Sequence, residues 1–333
     1  MSSTKISVVM PTFNGAKNIE ETLRSIFTQT VEIDQLICSD DKSSDETVSI
    51  IKSFANKTLT ELVVVSHIPN GVTANYLNTL KYVTGDLVLV ADQDDIWVAD
   101  KVECVVKAFN ASSVALVCHD SQLVNHELSD LGKTVRGSAR RSRALTRKFD
   151  RANDERNLEI FLSGGTPLLA HTLAFRSSLI PILLQKPADI NQWWFEEWLS
   201  CVALTSGRLK LIDRSLVAYR QHSGQTSGGF SNRELQSSLN VNPVGKYHNR
   251  IQKISYCAQI CATQGVVSEP FRYRVLSDYV EFLEARQTIL MDKGLRSVLM
   301  GSIKLLLLGR YHRYAKGFFS FGMDFLVSVR GSK

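Results

Sequence analysis

The chain has 333 residues, 44% of them hydrophobic and 22% charged, with a net charge of +6. That length suits one large domain with an appendage, and the apolar share is ordinary for a globular protein with a sizeable core. No run reaches the roughly 18 consecutive apolar residues of a membrane span, no signal-peptide layout opens the chain, and the charge is too segregated for a protein coated in positive charge for nucleic acid. In chain order, Ile6-Ser-Val-Val-Met10 reads as a strand, and residues 18–30, with Ile19, Leu23, Ile26 and Phe27 at helical spacing, as a helix. Gln35-Leu-Ile-Cys38 predicts a second strand. A helix follows from Ser44-Asp-Glu-Thr47, with Ser44 as candidate N-cap and acids in its first turn. Leu62 to Val65, residues 73–83 and residues 86–90 predict strand, helix and strand again. Such alternation predicts an α/β fold with a mainly parallel sheet covered on both faces. Residues 133–151 are basic and poor in apolar residues, which suits a loop or a solvated helix. From about 231 the pattern is helical, with Pro243 and Pro270 as breaks. The expected division is a catalytic domain over 1–230 and a helical region over 231–333.

Charge follows this order. Residues 1–130 hold 9 Lys/Arg against 18 Asp/Glu, residues 131–151 hold 8 against 1, and residues 231–333 hold 15 against 7. The six cysteines form no CxxC pair and have no zinc spacing around them, so free thiols in a reducing cytoplasm are expected.

Three predicted strand ends are polar: Pro11-Thr-Phe-Asn14, Ser39-Asp-Asp41 and Asp92-Gln-Asp-Asp95. Ligands of such sheets bind outside the carboxyl ends of the strands, so the three are expected to line one crevice. Clustered carboxylates raise one another's pKa, a cost that a divalent cation with oxygen ligands removes. The cluster therefore reads as a cation site for a phosphorylated substrate, or else as a solvated acidic turn that caps the next helix.

Together with Val8-Val-Met-Pro-Thr-Phe-Asn14, Ser39 to Thr47, Asn70-Gly71, Thr84-Gly-Asp86, Ala91-Asp-Gln-Asp-Asp-Ile-Trp97 and Lys101, these segments resemble family 2 glycosyltransferases of the GT-A fold. The Asp-Gln-Asp-Asp-Ile-Trp form is most similar to the rhamnosyltransferase-like branch. Later segments also resemble the family: Gly165-Thr166 with Phe175-Arg176, Trp194-Phe-Glu-Glu-Trp198, and Tyr219-Arg-Gln-His222 before Gly224. The likeness covers roughly residues 5–230.

The resemblance implies an inverting, metal-dependent transferase acting on a nucleotide sugar, dTDP-rhamnose or a UDP-sugar. It implies Asp94 on Mg²⁺ or Mn²⁺, Asp92 near the ribose or the metal shell, and Asp95 as a second metal contact or an N-cap. Asp41 would accept the pyrimidine N3–H, Phe13 would stack on the base, and Pro11 and Thr12 would approach it through backbone, with Gln93 also on the nucleotide sugar. Asp40 and Asp45 suit the turn and the helix start, and Lys42 stands where the family more often has Gly. Glu197 is the expected general base, Glu196 the alternative one residue away; Trp193, Trp194 and Trp198 form their aromatic setting, and Trp194 and Trp198 with Gly165 and Thr166 the acceptor side. His222 and Arg220 would meet the metal and the diphosphate. The 295–316 segment mixes apolar and basic residues, which permits either a membrane-surface helix or a helical subdomain, and peripheral membrane contact would suit a glycan or lipid-linked acceptor. Oligomerisation stays open and no nucleic-acid partner is expected. Two other readings are a sugar-phosphate nucleotidyltransferase, although Pro11 to Gly15 lacks its Gly-rich, Arg-containing loop, and a non-catalytic nucleotide-sugar-binding protein.

Overall fold

The computed structural model describes residues 4–55, 59–66, 68, 70–138, 154–163, 168–185, 193–222, 243–265, 270–292, 295–315, 317, 320–322 and 324. Contacts divide the chain into two units, Met1–Ala144 with Pro167–Gly229, and Leu145–Thr166 with Phe230–Lys333. The short segment 145–166, placed by the sequence within residues 1–230, thus groups with the C-terminal helices.

The first unit is a mixed sheet of nine strands among the described residues. It begins as the alternation predicts: β1 (Ile6–Thr12), α1 (Ile19–Phe27), β2 (Gln35–Asp40), α2 (Thr47–Ser53), β3 (Glu61–Ser66), α3 (Val72–Leu80) and β4 (Leu87–Val90). β3, β2, β1 and β4 lie side by side and parallel. β1, β2 and β4 are buried along their whole length, which explains their unbroken apolar runs, whereas the edge strand β3 is half-exposed. Beyond β4 the sheet turns mixed. β5 (Ile96–Trp97), α4 (Lys101–Ala108), β6 (Val114–Val124), β7 (Asp130–Thr134), β8 (Leu173–Arg176) and β9 (Arg208–Arg220) complete it. β8 runs antiparallel to β4, with Leu89 opposite Ala174, and antiparallel to β6. β9 runs parallel to β6 and antiparallel to β5. A core of Val8, Met10, Leu23, Leu36, Leu89, Val102 and Val217 joins the sheet to its helices.

Helix α2 begins at Thr47, not at a Ser44 cap. Asp45 accepts from the Thr47 and Ala16 N–H groups, while Ser44 N–H donates to Asn14 Oδ1 at 2.9 Å. Asp40 closes the turn from Thr12 Oγ1 (2.9 Å), Ser43 Oγ (2.6 Å) and Ser43 N–H (2.7 Å).

The second unit holds helices Asp154–Leu162, Pro243–Thr263, Pro270–Met291, Leu295–Leu307 and Arg310–Tyr314. Pro243 and Pro270 open helices rather than break them, because the first helical residue has no intrahelical partner for the N–H that proline lacks. Arg286 grips Asp324 through two 2.6 Å bonds, and Tyr311 OH donates to the same carboxylate at 2.7 Å. No helix among the described residues is long and apolar enough to cross a membrane.

Candidate active site

A cavity of about 460 Å³ opens at the carboxyl ends of β1, β2 and β4. Parallel register explains the convergence, since Thr12 lies opposite Asp40 and Val9 opposite Val90. The three polar strand ends read from the sequence all line it: Pro11, Thr12 and Phe13; Asp41; and Asp92, Gln93 and Asp94. Phe13 is 55% exposed, an aromatic face offered at the rim. The Gln93 amide brackets the Phe13 backbone, accepting from its N–H and donating to its carbonyl, both at 2.9 Å, and so ties the first loop to the acidic one. Gly71 enters α3 at φ +85°, a conformation open to glycine, and lines the wall beside Asn75 and Tyr76. Lys42 takes φ +61° without being glycine.

The acidic loop is held from every side. Tyr76 OH donates to Asp92 Oδ1, and His171 Nδ1 lies 3.3 Å from Asp92 Oδ2 and 3.5 Å from Asp95 Oδ2. The other imidazole nitrogen meets Ser121 Oγ at 2.8 Å. His222 Nε2 sits 2.8 Å from Asp94 Oδ2. Environment then splits the three carboxylates. Burial pushes Asp92 up, but hydrogen bonds from His171 and Tyr76 outweigh it and hold the group below its ordinary value. Burial and then the Asp92 charge raise Asp94, eased by His222. Asp95, 0% exposed, is raised well above the carboxylate range by burial and by both neighbouring charges, eased by the Arg220 N–H at 3.1 Å. Asp95 Oδ2 has no hydrogen-bond partner among the described residues. Lys101, also buried, lies 3.7 Å over the Trp97 ring and donates to the His171 carbonyl at 3.0 Å. Burial pulls its ammonium down to about 7 against the opposing influence of Asp95 and Asp92.

Carboxylates with one or two imidazoles suit a hard divalent cation such as Mg²⁺ or Mn²⁺. Ligand atoms of Asp92, Asp95 and His171 fall within 4.8 Å of one another. Asp94, which lines the cavity, and its partner His222 are 18% and 24% exposed at their side chains. The orphaned Asp95 oxygen and the raised Asp94 and Asp95 are the signature of a site short of positive charge, so the residues present fit such an ion.

Across the cavity stands the helix Phe195–Ser206. Glu196 lines the wall; Glu197, its neighbour one position on, does not. Burial drives the Glu196 carboxyl up to about 7, and the charges of Asp92 and Glu197 add to the rise. The helix is anchored to the acidic side, since Phe195 stacks on Tyr76 at 4.5 Å and Thr73 Oγ1 donates to the Trp193 carbonyl at 2.7 Å. Trp194, 46% exposed, lines the cavity, whereas Trp198 is fully buried, donates to the Leu183 carbonyl at 3.1 Å and packs edge-on against Trp193. Trp198 is therefore a core residue rather than a cavity wall. Arg220 also lies elsewhere than at a phosphate: its guanidinium is 4% exposed and donates to the Asp94 carbonyl (3.0 Å), the His126 carbonyl (2.9 Å) and Glu21 (2.6 Å), behind the acidic loop. Gly165 and Thr166 lie outside the described residues, as do Gly224 and the glycines at 228 and 229. The segment before Phe175-Arg176 that lines the cavity is Leu169-Ala170-His171. Neither His171 nor Tyr76 was a sequence candidate: His171 lies two residues before β8 and Tyr76 within α3, and no motif marks either.

An open α/β sheet with a cavity across its strand ends and an acidic loop after β4 defines a glycosyltransferase of the GT-A fold. Residues 7–172 match the family described as "Glycosyl transferase family 2", and the chain belongs to that family. It is 26% identical over 135 residues to the Escherichia coli UDP-Glc:alpha-D-GlcNAc-diphosphoundecaprenol beta-1,3-glucosyltransferase WfgD, covering 40% of this chain and only about half, 52%, of that protein. It is also 26% identical over 264 residues to the Shigella flexneri dTDP-rhamnosyl transferase RfbG, covering 74% and 83% of the two chains. Among solved structures, S. aureus TarS 1-349 in complex with UDP-GlcNAc superposes with a TM-score of 0.56 at 18% identity over 98% of this chain and 90% of that one. The mannosyltransferase PcManGT from Pyrobaculum calidifontis, in complex with GDP-Man and Mn²⁺, superposes at 0.52 and 16% identity over 100% and 88%.

Proposed function

We propose that this glycosyltransferase is inverting and metal-dependent, moving a sugar from dTDP-rhamnose or a UDP-sugar to a hydroxyl of a glycan or lipid-linked acceptor in bacterial cell-surface polysaccharide synthesis in the cytoplasm. One observation carries it: one cavity is lined by Phe13 and Asp41, by Asp92 and Asp94, and by Glu196, whose carboxyl burial pushes up to about 7. Phe13 and Asp41 suit the face and the N3–H of a pyrimidine, and Asp92 the ribose. Asp94 and His222 would hold Mg²⁺ or Mn²⁺, which neutralises charge on the departing diphosphate. Glu196 takes the proton of the acceptor hydroxyl, whose oxygen forms the new bond to the anomeric carbon as the bond to the diphosphate breaks. One base and no nucleophile on the enzyme give a single displacement, hence inversion. Trp194 offers an apolar face to the acceptor sugar. The names of the Shigella and E. coli relatives support the two donors, and the second also supports a lipid-linked acceptor.

The test is a panel of nucleotide sugars with Mn²⁺, read as nucleoside diphosphate released. Release from dTDP-rhamnose or a UDP-sugar, lost in Asp94→Ala, supports the reading. Pyrophosphate chemistry, or binding without turnover, overturns it.

A further inference from the structure

The helix Leu295–Leu307 is amphipathic in an unusual sense. Its inner side is narrow: Val298, Ser302 and Leu305 are 2%, 0% and 4% exposed, and Gly301 lets the helix come against Ile289 of the preceding helix. Its outer side is apolar where a soluble helix carries polar residues. Leu299 is 39% exposed, Met300 62%, Leu307 82%, and Leu308, just past the helix end, 57%. Spacings of three, four and seven put Arg296, Met300, Lys304 and Leu307 along this same side. No Asp or Glu occurs between residues 295 and 309. Arg296 and Lys304 are exposed and make no ion pair among the described residues, while Arg310, beyond the stripe, is tied to Asp278 and Glu281. A run of bare leucines and methionine flanked by cations and by no acid is complementary to one kind of surface, an apolar layer beneath a sheet of negative charge.

We propose that the outer side of the helix Leu295–Leu307 binds an anionic lipid bilayer, with Leu299, Met300, Leu307 and Leu308 entering the headgroup boundary and Arg296 and Lys304 meeting lipid phosphates. The surface uses no residue of the cavity, so it stands or falls apart from the donor chemistry. It gives a transferase of this class a way to work where a lipid-linked acceptor is held.

The experiment is flotation of the full chain with vesicles rich in phosphatidylglycerol and with vesicles of phosphatidylcholine alone, at low and high salt. Wild type is expected to float with the anionic vesicles only and to be released by salt. Arg296→Glu with Lys304→Glu, and separately Leu299→Ser with Met300→Ser and Leu307→Ser, are each expected to lower the bound-to-free ratio by at least about tenfold. Donor hydrolysis in solution should be unchanged in both variants, which separates failure of this surface from failure of the transferase reading. Should the triple variant lose its circular dichroism spectrum, Leu307→Ser alone is read, with an expected fall of about threefold. Wild type that stays with the unbound protein, or variants that float as it does, overturn the proposal. So does a wild-type dimer that the triple variant turns into a monomer without any flotation, because the stripe would then close on a second copy.

Discussion

Glu196→Gln tests the site most sharply, because it should lose activity and gain stability together. A positioned general base contributes about 10²–10⁴ in rate, so Glu196→Gln should lower kcat by about a thousandfold, whereas Glu197→Gln should stay within about threefold. The carboxyl is raised from 4.5 to about 7. The base must be ionised, so the rate should fall about tenfold per pH unit below the folded pKa. Between the unfolded and folded pKa values the native state binds more protons than the unfolded one, so stability falls as pH rises through that window. At about 1.4 kcal/mol per unit, the charged form costs the fold on the order of 3 kcal/mol once the group is fully ionised, an upper bound for a side chain that keeps a path to solvent. Glutamine removes that cost. Urea unfolding should therefore show Glu196→Gln more stable than wild type at about pH 8 and nearly equal to it at about pH 4, below the unfolded pKa. Loss of transfer in Glu197→Gln rather than Glu196→Gln, or an acid limb near an ordinary carboxylate pKa, would refute the assignment.

Four further outcomes follow from the same geometry. Chelation by EDTA should stop nucleoside diphosphate release and Mn²⁺ should restore it; Asp94→Asn or His222→Ala should raise the Mn²⁺ needed for half-activation by about 10–100-fold, and unchanged titrations would exclude the pair as ligands. Lys42→Gly relieves a φ of +61°, and after the entropy glycine adds to the unfolded chain it should stabilise by about 0.5–1 kcal/mol in thermal unfolding. Trp198→Ala should cost about 3–5 kcal/mol of stability, while Trp194→Ala should leave the melting temperature alone and raise KM for the acceptor. Arg220→Met removes the donor from the Asp94 and His126 carbonyls, at about 1–3 kcal/mol for each that stays buried, while the exposed Glu21 regains water; it should lower the melting temperature as well as kcat, and a normal melting temperature with a raised donor KM would instead place the guanidinium at the diphosphate.

The first half of the sheet was legible because each buried parallel strand is an unbroken apolar run, and because such strands end together at the ligand side. That alone predicted the company of Pro11, Thr12, Phe13, Asp41 and the Asp92–Asp94 loop. The second half was harder, and His171 shows why. The chain reverses at β8, so residues just before β8 lie beside residues just after β4. Nothing in a linear pattern announces a pairing between His171 and Asp92 across some 80 residues. The choice between Glu196 and Glu197 fails for a different reason. Successive residues on a helix differ by about 100° in direction, and the anchoring of Phe195 on Tyr76, of Trp193 on Thr73 and of Trp198 on Leu183 fixes which one faces the cavity.

The acidic loop is where these two halves depend on each other. Three carboxylates in four residues repel, and burial makes the repulsion worse. What keeps the loop folded is supplied from later in the chain: the Arg220 N–H and guanidinium behind Asp95 and Asp94, His171 between Asp92 and Asp95, and Lys101 beneath the His171 carbonyl. Arg220 and Lys101 act from outside the cavity lining, whereas His171 is itself part of that lining. Together they leave Asp94 on the cavity wall with His222 as its partner, and too little positive charge for the number of acids. A loop so braced has its remaining electrostatic deficit pointed at the ligand. Under the proposed reading, a divalent cation bound with a diphosphate would lower the energy of the loop as well as that of the ligand, and so would tie donor recognition to the stability of the strand ends themselves.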